Sequence, residues 1–497
     1  MRLTALNPEY DKMNPTWTRL YHAYEGEQVV KSNQDIYLPK TVTMKSDKDY
    51  YLMYLERAVF PDFFYKAVES FQGALHREKA KITLPDIISF MKNDATFYGE
   101  SLQKVLEEIT HYLLRYGRAC VGVDVRKDEK GGARPYIVIY PPNKVKNWGI
   151  SDTVNVDVTN AKIPSFQFVI IDESGSKVNE SGEWVSLTQH RVLEMINGVY
   201  HNGVFQDNNY DLSGMVALST QSGTLNRIPF VFCNVKDLKP DVQRPPLVGL
   251  ANLCFAIYRG DADYRQDLHR QSQDTLFTFG IPRPESGMEI GAGAIIEAPA
   301  DGRAEYVGVT GVGLEEQRIA LDNLKTQALH DAGQFMNTPA KQSAEGISLF
   351  LSASMSALHQ VANSSAECLK VILSICCEWL GKKDVEIEIV PNTDFSENEI
   401  VPDQVLKLWT TVQSGGLSRD SYFTYLNRKG IIETSPDDEI GLIDGDKEQM
   451  MLDSGYGNPL DGGIGEQGQQ QWQQQGQSPT QPKEKVKRKN ENAVSKN

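Results

Sequence analysis

The sequence predicts an α+β fold, predominantly helical, and three observations predict it. Long stretches read as helices: residues 245–271 place apolar residues three and four apart without a break, and residues 347–380, rich in Ala, Ser, Leu, Ile and Met, contain neither Pro nor Gly. Short β-rich runs separated by turn signals cluster between residues 119 and 205. The composition, 40% hydrophobic and 24% charged, is that of a chain able to bury a core. At 497 residues the chain exceeds the size at which one core keeps growing, so two or three folding units are expected.

The first hundred residues read as helices rich in Tyr and Phe. YYLMYLERAVF at 50–60 stops at Pro61, and DFFYKAVESFQGAL resumes after it. Leu102, Val105, Leu106, Ile109, Leu113 and Tyr116 then follow helical spacing, with Gly117 placed to cap the end. ACVGVDV (119–125) and RPYIVIYPP (134–142), joined across Gly131 and Gly132, predict a hairpin. FQFVII (166–171), HRVLEMI (190–196) and VYHNGVF (199–205) predict further antiparallel strands, the last two joined by Asn197-Gly198, a favoured pair for a tight turn.

From residue 245 to 271, Leu247, Leu250, Cys254, Ile257, Asp261, Tyr264 and Leu268 step by three and four, which implies one helix packed on another. Asp261 lies in that seam, where a polar residue fixes register or faces water. TLFTFGIPRP (275–284), AIIEAP and EYVGV (294–309) predict a small strand-and-turn module with a turn at Asp301-Gly302. A second amphipathic helix is expected over 314–336, with Leu314, Leu321, Leu324, Ala328 and Ala332 on one side. NTPAKQSAEG (337–346) reads as a loop because of Pro339 and Gly346, and 347–380 as one helix about 50 Å long. VEIEIV (385–390) predicts a strand. Two short helices follow, one opened by Pro402 and closed at Gly415-Gly416, the other opened at Ser418 and closed at Gly430. Beyond about Gly455 the Gln- and Gly-rich composition cannot bury a core and reads as disordered. The stretch from Lys483 carries six Lys or Arg against two Glu and reads as a solvated basic tail.

Charge and motifs narrow the function classes. A formal net charge of -15 argues against a surface that wraps nucleic acid, since phosphate neutralisation needs clustered Lys and Arg, though it permits a channel through which DNA slides. The N-terminal MRLTALNPEYDKMNP lacks the apolar centre of a signal peptide, so a soluble protein made in the cytoplasm is expected. Cys120, Cys233, Cys254, Cys368, Cys376 and Cys377 lie in apolar surroundings without C-x-x-C spacing and read as reduced core thiols. No phosphate loop, H-E-x-x-H or G-x-S-x-G occurs, and Gly311-Val312-Gly313 lacks the third glycine of a dinucleotide site. Asp444-Gly445-Asp446 with Glu448 has the residue types of a calcium loop but not its ligand spacing. His111, His269, His330 and His359 fall on predicted helices and read as structural. The expectation is a protein with no enzyme activity, no metal and no cofactor.

The order of these segments resembles the portal proteins of tailed bacteriophages, in a divergent branch of that family. The likeness lies in MNPTWTRLYHAYEGEQVV (13–30), LLRYGRACVGVDV (113–125) and RPYIVIYPPNKVKNW (134–148). It continues in RPPLVGLANLCFAIYRGDADYRQDLH (244–269) and LKLWTTVQSGGLSRDSYFTYLNRKGII (406–432), spanning most of residues 10–435.

The resemblance implies a ring, expected to be a dodecamer, at the capsid vertex of the virion, assembled in the host cytoplasm. Double-stranded DNA would be packaged and ejected through it. On that scheme residues 1–244 form a wing, 245–272 the first stem helix, 273–312 a small α/β clip and 313–336 the second stem helix. Residues 337–346 form a tunnel loop, 347–381 a long wing helix, 382–454 the strand and helices toward the crown, and 455–497 a disordered tail, so that the crown is reduced or disordered. The implied partners are other copies of the chain, the large subunit of the terminase (the packaging ATPase), the major capsid protein, head-tail adaptor or tail proteins, and DNA, with no membrane. Arg318, Lys325, Lys341 and Gln342 are the candidates to face DNA in the channel. Two other readings remain: a different head-tail adaptor, and a metal-dependent nuclease using Glu386 and Glu388, which strand alternation puts on one face.

Overall fold

Local chemistry sets several helix ends among the described residues. In the computed structural model Asn7 accepts a hydrogen bond from the Glu9 amide at 2.9 Å and Pro8 occupies the first turn, which starts helix α1 (Pro8–Glu25). The structure describes residues 3–453 except 128–132, 152–155, 159–160, 207–208, 221–222, 272–274, 281–298, 308–312, 333–343, 384, 394, 396–401, 429–430 and 433. It divides into two compact units, residues 1–395 and 396–497.

In the first unit α1 is followed by α2 (Glu27–Ser32), α3 (Val42–Ser46), α4 (Lys48–Arg57) and α5 (Phe63–Leu75). The Asp47 side chain caps α4 by accepting from the Tyr50 amide at 3.0 Å, and the break between α4 and α5 falls at Pro61 as expected. Strand β1 (Lys81–Thr83) leads to α6 (Leu102–Tyr116), whose stripe Leu102, Val105, Leu106, Ile109 and Leu113 is buried. Gly117 ends α6 in the left-handed region at φ 75°, its amide bonded to the Leu113 carbonyl at 2.9 Å.

The chain then enters β2 (Arg118–Lys127), which pairs antiparallel with β3 (Ala133–Tyr140). The sequence continues through β4 (Val145–Ile150), β5 (Val156–Val158), β6 (Ala161–Ile163), β7 (Phe166–Asp172), β8 (Gly175–Val178), β9 (Trp184–Leu187), β10 (Gln189–Ile196) and β11 (Val199–Gln206). After it come β12 (Val216–Ala217), β13 (Ser219–Thr220), β14 (Gly223–Thr224) and β15 (Phe230–Asn234). Two sheets carry the core: β12-β11-β10-β7-β4, and β15-β2-β3. Asn197 (φ 51°) and Gly198 (φ 76°) make the tight turn that fixes the β10–β11 register at Ile196 opposite Val199. That β15 joins β2 was not expected from sequence. The join is stabilised by Arg118, 2% exposed, whose guanidinium donates to Asn234 Oδ1 at 2.8 Å and to the carbonyls of Pro240 (2.5 Å) and Asp241 (2.6 Å).

Helix α7 (Val248–Gln271) follows, then β16 (Thr275–Phe279), β17 (Arg303–Val307), α8 (Leu314–Asp331), α9 (Ala344–Trp379) and β18 (Glu388–Val390). Three expectations are corrected here. The helix expected from 347 begins at Ala344, so Gly346 lies in its first turn rather than in a loop; the first amides of a helix have no partner within it, which makes a glycine there less costly than in its middle. VEIEIV forms a strand only over Glu388–Val390, pairing with β1 across more than 300 residues of sequence. Leu268, placed in the α7 seam, is 41% exposed, while Ala251, Phe255, Tyr258 and Ala262 are buried, because the start of α7 is enclosed on a broader face than a single seam. All six cysteines are buried and free, as expected, and burial pushes the Cys120 thiol up to about 12.

The second unit contains α10 (Pro402–Gln413), α11 (Arg419–Arg428) and α12 (Pro436–Asp453) around Tyr422, Phe423 and Leu426, with Trp409, Ile440 and Ile443 against them. Ser418 caps α11 by accepting from the Ser421 amide at 3.1 Å. The sequence reading had no helix at 436–453. Ser435 caps it, accepting from the Asp438 amide at 3.2 Å, and three acids in its first turn favour the positive end of the helix dipole. Asp444, Gly445 and Asp446 are therefore helical and not a cation-binding loop. The expected tail at 455–497 lies outside the described residues.

A methyl group built on Gly117 would meet Pro245 Cα at 2.9 Å, in a backbone conformation that side chains disfavour. Gly117→Ala is expected to destabilise the protein by about 2–4 kcal/mol, read as a lower urea midpoint. An unchanged midpoint would mean that α6 does not end against the start of α7.

Candidate nucleic-acid interface

Two helices bracket a small β module in the segment expected to form stem and clip. An added Cβ at Gly260 would lie 3.0 Å from Leu321 Cδ2, and Gln317 Nε2 donates to Asp267 Oδ2 at 3.2 Å, so α7 and α8 run antiparallel in close contact. Leu321, Ala328 and Ala332 are buried, as their spacing predicts. Asp261 in the seam is ion-paired to Arg265 one turn on, its side chain 8% exposed against 46% for the arginine. The carboxylate thus sits at the edge of the packed face with its partner reaching toward water.

Between these helices β16 pairs antiparallel with β17, from Thr275 opposite Val307 to Phe279 opposite Arg303. The Asp301-Gly302 turn stands just before β17, with the Gly302 amide bonded to the Pro299 carbonyl at 2.8 Å. The expected contribution of residues 294–298 lies outside the described residues. Helix α4 also straps α7: Arg57 Nη1 donates to Gln266 Oε1 at 2.8 Å, Gln266 Nε2 to the Tyr50 hydroxyl at 2.8 Å, and the Tyr54 hydroxyl to Asp263. Sequence reasoning missed this strap, although the tyrosines at 50 and 54, four apart, carried a signal for it.

Of the four candidates for facing DNA, Arg318 and Lys325 stand seven residues apart on α8, about 10 Å along its axis. Lys341 and Gln342 lie outside the described residues. Arg318 is bound on both sides, to Glu315 and, at 3.1 Å, to Asp322, and the Glu315 hydrogen bond raises its pKa further. Its charge is therefore locally compensated. Lys325 is partly exposed and makes no ion pair among the described residues. With Glu315, Glu316, Asp322 and Asp331, the described part of α8 is acidic overall.

The nuclease candidates Glu386 and Glu388 are both exposed, and only Glu388 belongs to a strand. Among the described residues no group of three His, Cys, Asp or Glu side chains is placed to hold a metal, and no helix is long and apolar enough to cross a membrane. His111, His330 and His359 are helical, and His359 packs on Phe395 at 4.9 Å between centroids.

A groove of about 940 Å³ lies apart from these helices, between α5, α6 and the β2–β3 hairpin. Glu108 lines it, and burial, with Glu100 nearby, raises its carboxyl above the ordinary carboxylate range. The folded protein therefore holds this proton more tightly than the unfolded chain does. The native state is penalised once pH rises past the unfolded value near ~4, and increasingly so up to the folded value. Glu108→Gln is expected to raise the melting temperature at pH 7, with the gain vanishing below about pH 4; a gain that persists at low pH would contradict the buried charge as its source.

Residues 246–380, from the start of α7 to the end of α9, match the model of a family described as a domain of unknown function, DUF4055. Among solved structures the chain is similar to one in the virion of a native gene transfer agent particle, with a TM-score of 0.38 and 13% identity over 73% of this chain and 89% of that one. It is also similar to one in the neck of an empty gene transfer agent particle computed with C6 symmetry, with a TM-score of 0.37 and 12% identity over 73% and 89%. No curated protein matches the chain.

Proposed function

We propose that this chain is the subunit of a portal ring in a phage-like particle, the channel through which double-stranded DNA is packaged and ejected. The observation that carries the reading is the antiparallel α7–α8 pair bracketing the β16–β17 module and followed by the 36-residue helix α9. That is the order of stem, clip, stem and long helix on which the resemblance was drawn. A ring built from one chain needs heterologous contacts whose rotation closes, and a helix such as α8, with one buried stripe and the remaining sides open, offers surface for them.

The DNA-facing role follows from charge. An acidic wall repels phosphate and keeps DNA from sticking, while a few cations grip it transiently. Arg318, held between two carboxylates, contributes little net attraction; Lys325 carries the grip on α8. In this reading the ring also docks the terminase and, later, the head-tail connectors, and sits in the capsid beside the major capsid protein. The mechanism is mechanical and asks no bond chemistry of the chain.

Electron microscopy of the purified protein, alone and co-expressed with capsid protein, tests the reading. Closed rings, expected to hold twelve copies, with a hole wide enough for a duplex support it; monomers or dimers under both conditions would sink it. In a DNA-packaging assay, Lys325→Ala is expected to change packaging by more than Arg318→Ala while leaving rings intact. Wild-type packaging by both variants would remove α8 from the DNA path.

A further inference from the structure

The groove between α5, α6 and the β2–β3 hairpin has a lopsided charge balance that the channel reading does not use. Each cation on its walls is already engaged. Lys104 is paired with Glu107 at 2.8 Å, Arg191 with Glu173 at 2.7 Å and Asp124 at 3.2 Å, and Arg115 with Glu25 at 3.0 Å. Glu69, Glu100 and Glu108 line the same groove and make no ion pair among the described residues. Carboxylates held close together raise one another's pKa, and at Glu108 burial, with Glu100 nearby, outweighs the opposing pull of Lys104 and of the Tyr112 hydrogen bond.

Two further features point to a ligand. At the rim Phe97 is 57% and Tyr98 88% exposed, with Phe97 against Tyr136 at 5.6 Å between centroids. Large aromatic rings standing in water beside carboxylates suit a Lys or Arg side chain, which gains from the ring face and the carboxylate together. Arg115, its side chain 8% exposed, lines the groove, and its Nε has no acceptor among the described residues. A buried N–H without a partner costs about 1–3 kcal/mol, and a carbonyl entering the groove would relieve it. Simple cations satisfy the carboxylates but not Arg115. A peptide segment supplies both groups, with ammonium or guanidinium side chains for the glutamates and a main-chain carbonyl for the arginine Nε.

We infer that this groove receives the Lys- and Arg-rich stretch Lys483–Asn497 of a second copy of the chain. The choice of occupant rests on charge complementarity. That stretch carries Lys483, Lys485, Lys487, Arg488, Lys489 and Lys496 against two glutamates, in a chain whose formal net charge is -15. The inference leans on the ring reading only for the meeting of copies.

Zero-length carbodiimide cross-linking of the full-length protein, mixed from isotopically light and heavy copies, tests it. The expected product is an isopeptide bond between Lys485, Lys487 or Lys489 and Glu100 or Glu108, found by mass spectrometry in mixed-isotope pairs. Glu69→Gln leaves both cross-linking carboxylates in place and is expected to cut the yield at least threefold. Cross-links of these lysines to carboxylates elsewhere, only within single copies, or not at all would overturn the inference. So would a yield that Glu69→Gln leaves unchanged. Rings seen by microscopy without these cross-links would remove the docking and leave the ring reading standing, whereas mixed-isotope cross-links without rings would do the reverse.

Discussion

The first unit depends on the enclosure of the second half of α9. From Leu358 to Trp379 this helix buries Val361, Ala362, Cys368, Leu369, Val371, Ile372, Leu373, Ile375 and Cys376, more than half of its circumference, and leaves one polar strip, Asn363, Glu367, Lys370, Ser374 and Glu378, at least partly open to water. So broad an apolar face is stable only when several other elements cover it. Here α5, α6, β2, β3 and β15 do so. Two buried hydroxyls inside this packing find carbonyls: Ser364 donates to Val235 at 2.9 Å, and Ser365 turns back to Ala362 at 2.8 Å. The β15-β2-β3 sheet and helices α5 and α6 are therefore packed on one rod, which reaches them from more than a hundred residues downstream of the last core strand.

Much of this was legible where a single residue type decides the local conformation. Gly117 and the Asn197-Gly198 pair fix backbone regions that few other residues adopt, and Pro61 cannot continue a helix. Periodicity placed α6, α7 and α8 to within a few residues. It failed where the deciding contact is distant. Three residues at 81–83 find their strand partner at 388–390, β15 is recruited to β2 by the buried Arg118, and neither pairing leaves a local pattern. Helix α12 was missed because Gly441 and Gly445 argue against a helix, whereas Ile440 and Ile443, packed near Tyr422 and Leu426, supply its stability from outside.

For the candidate interface, spacing put Arg318 and Lys325 on one helix, but sequence alone treated them as equals. The structure separates them by their partners, since Arg318 is paired with both Glu315 and Asp322 whereas the partly exposed Lys325 makes no ion pair among the described residues. The acidic groove had no sequence signature. Glu69, Glu100, Glu108 and Asp124 come together only when α5, α6 and the β2–β3 hairpin pack, and residues so far apart do not announce a shared surface.

The six cysteines, all free and buried, have a practical consequence. A thiol reagent small enough to label proteins finds no native thiol at the surface of the described chain, and burial holds Cys120, Cys233 and Cys376 in the unreactive protonated form. A single cysteine introduced at an exposed position, such as the tip of the β8–β9 hairpin, would become the one addressable atom in the folded protein. Dyes, spin labels or tethers could then be attached at a chosen height along the molecule without first stripping out its own thiols.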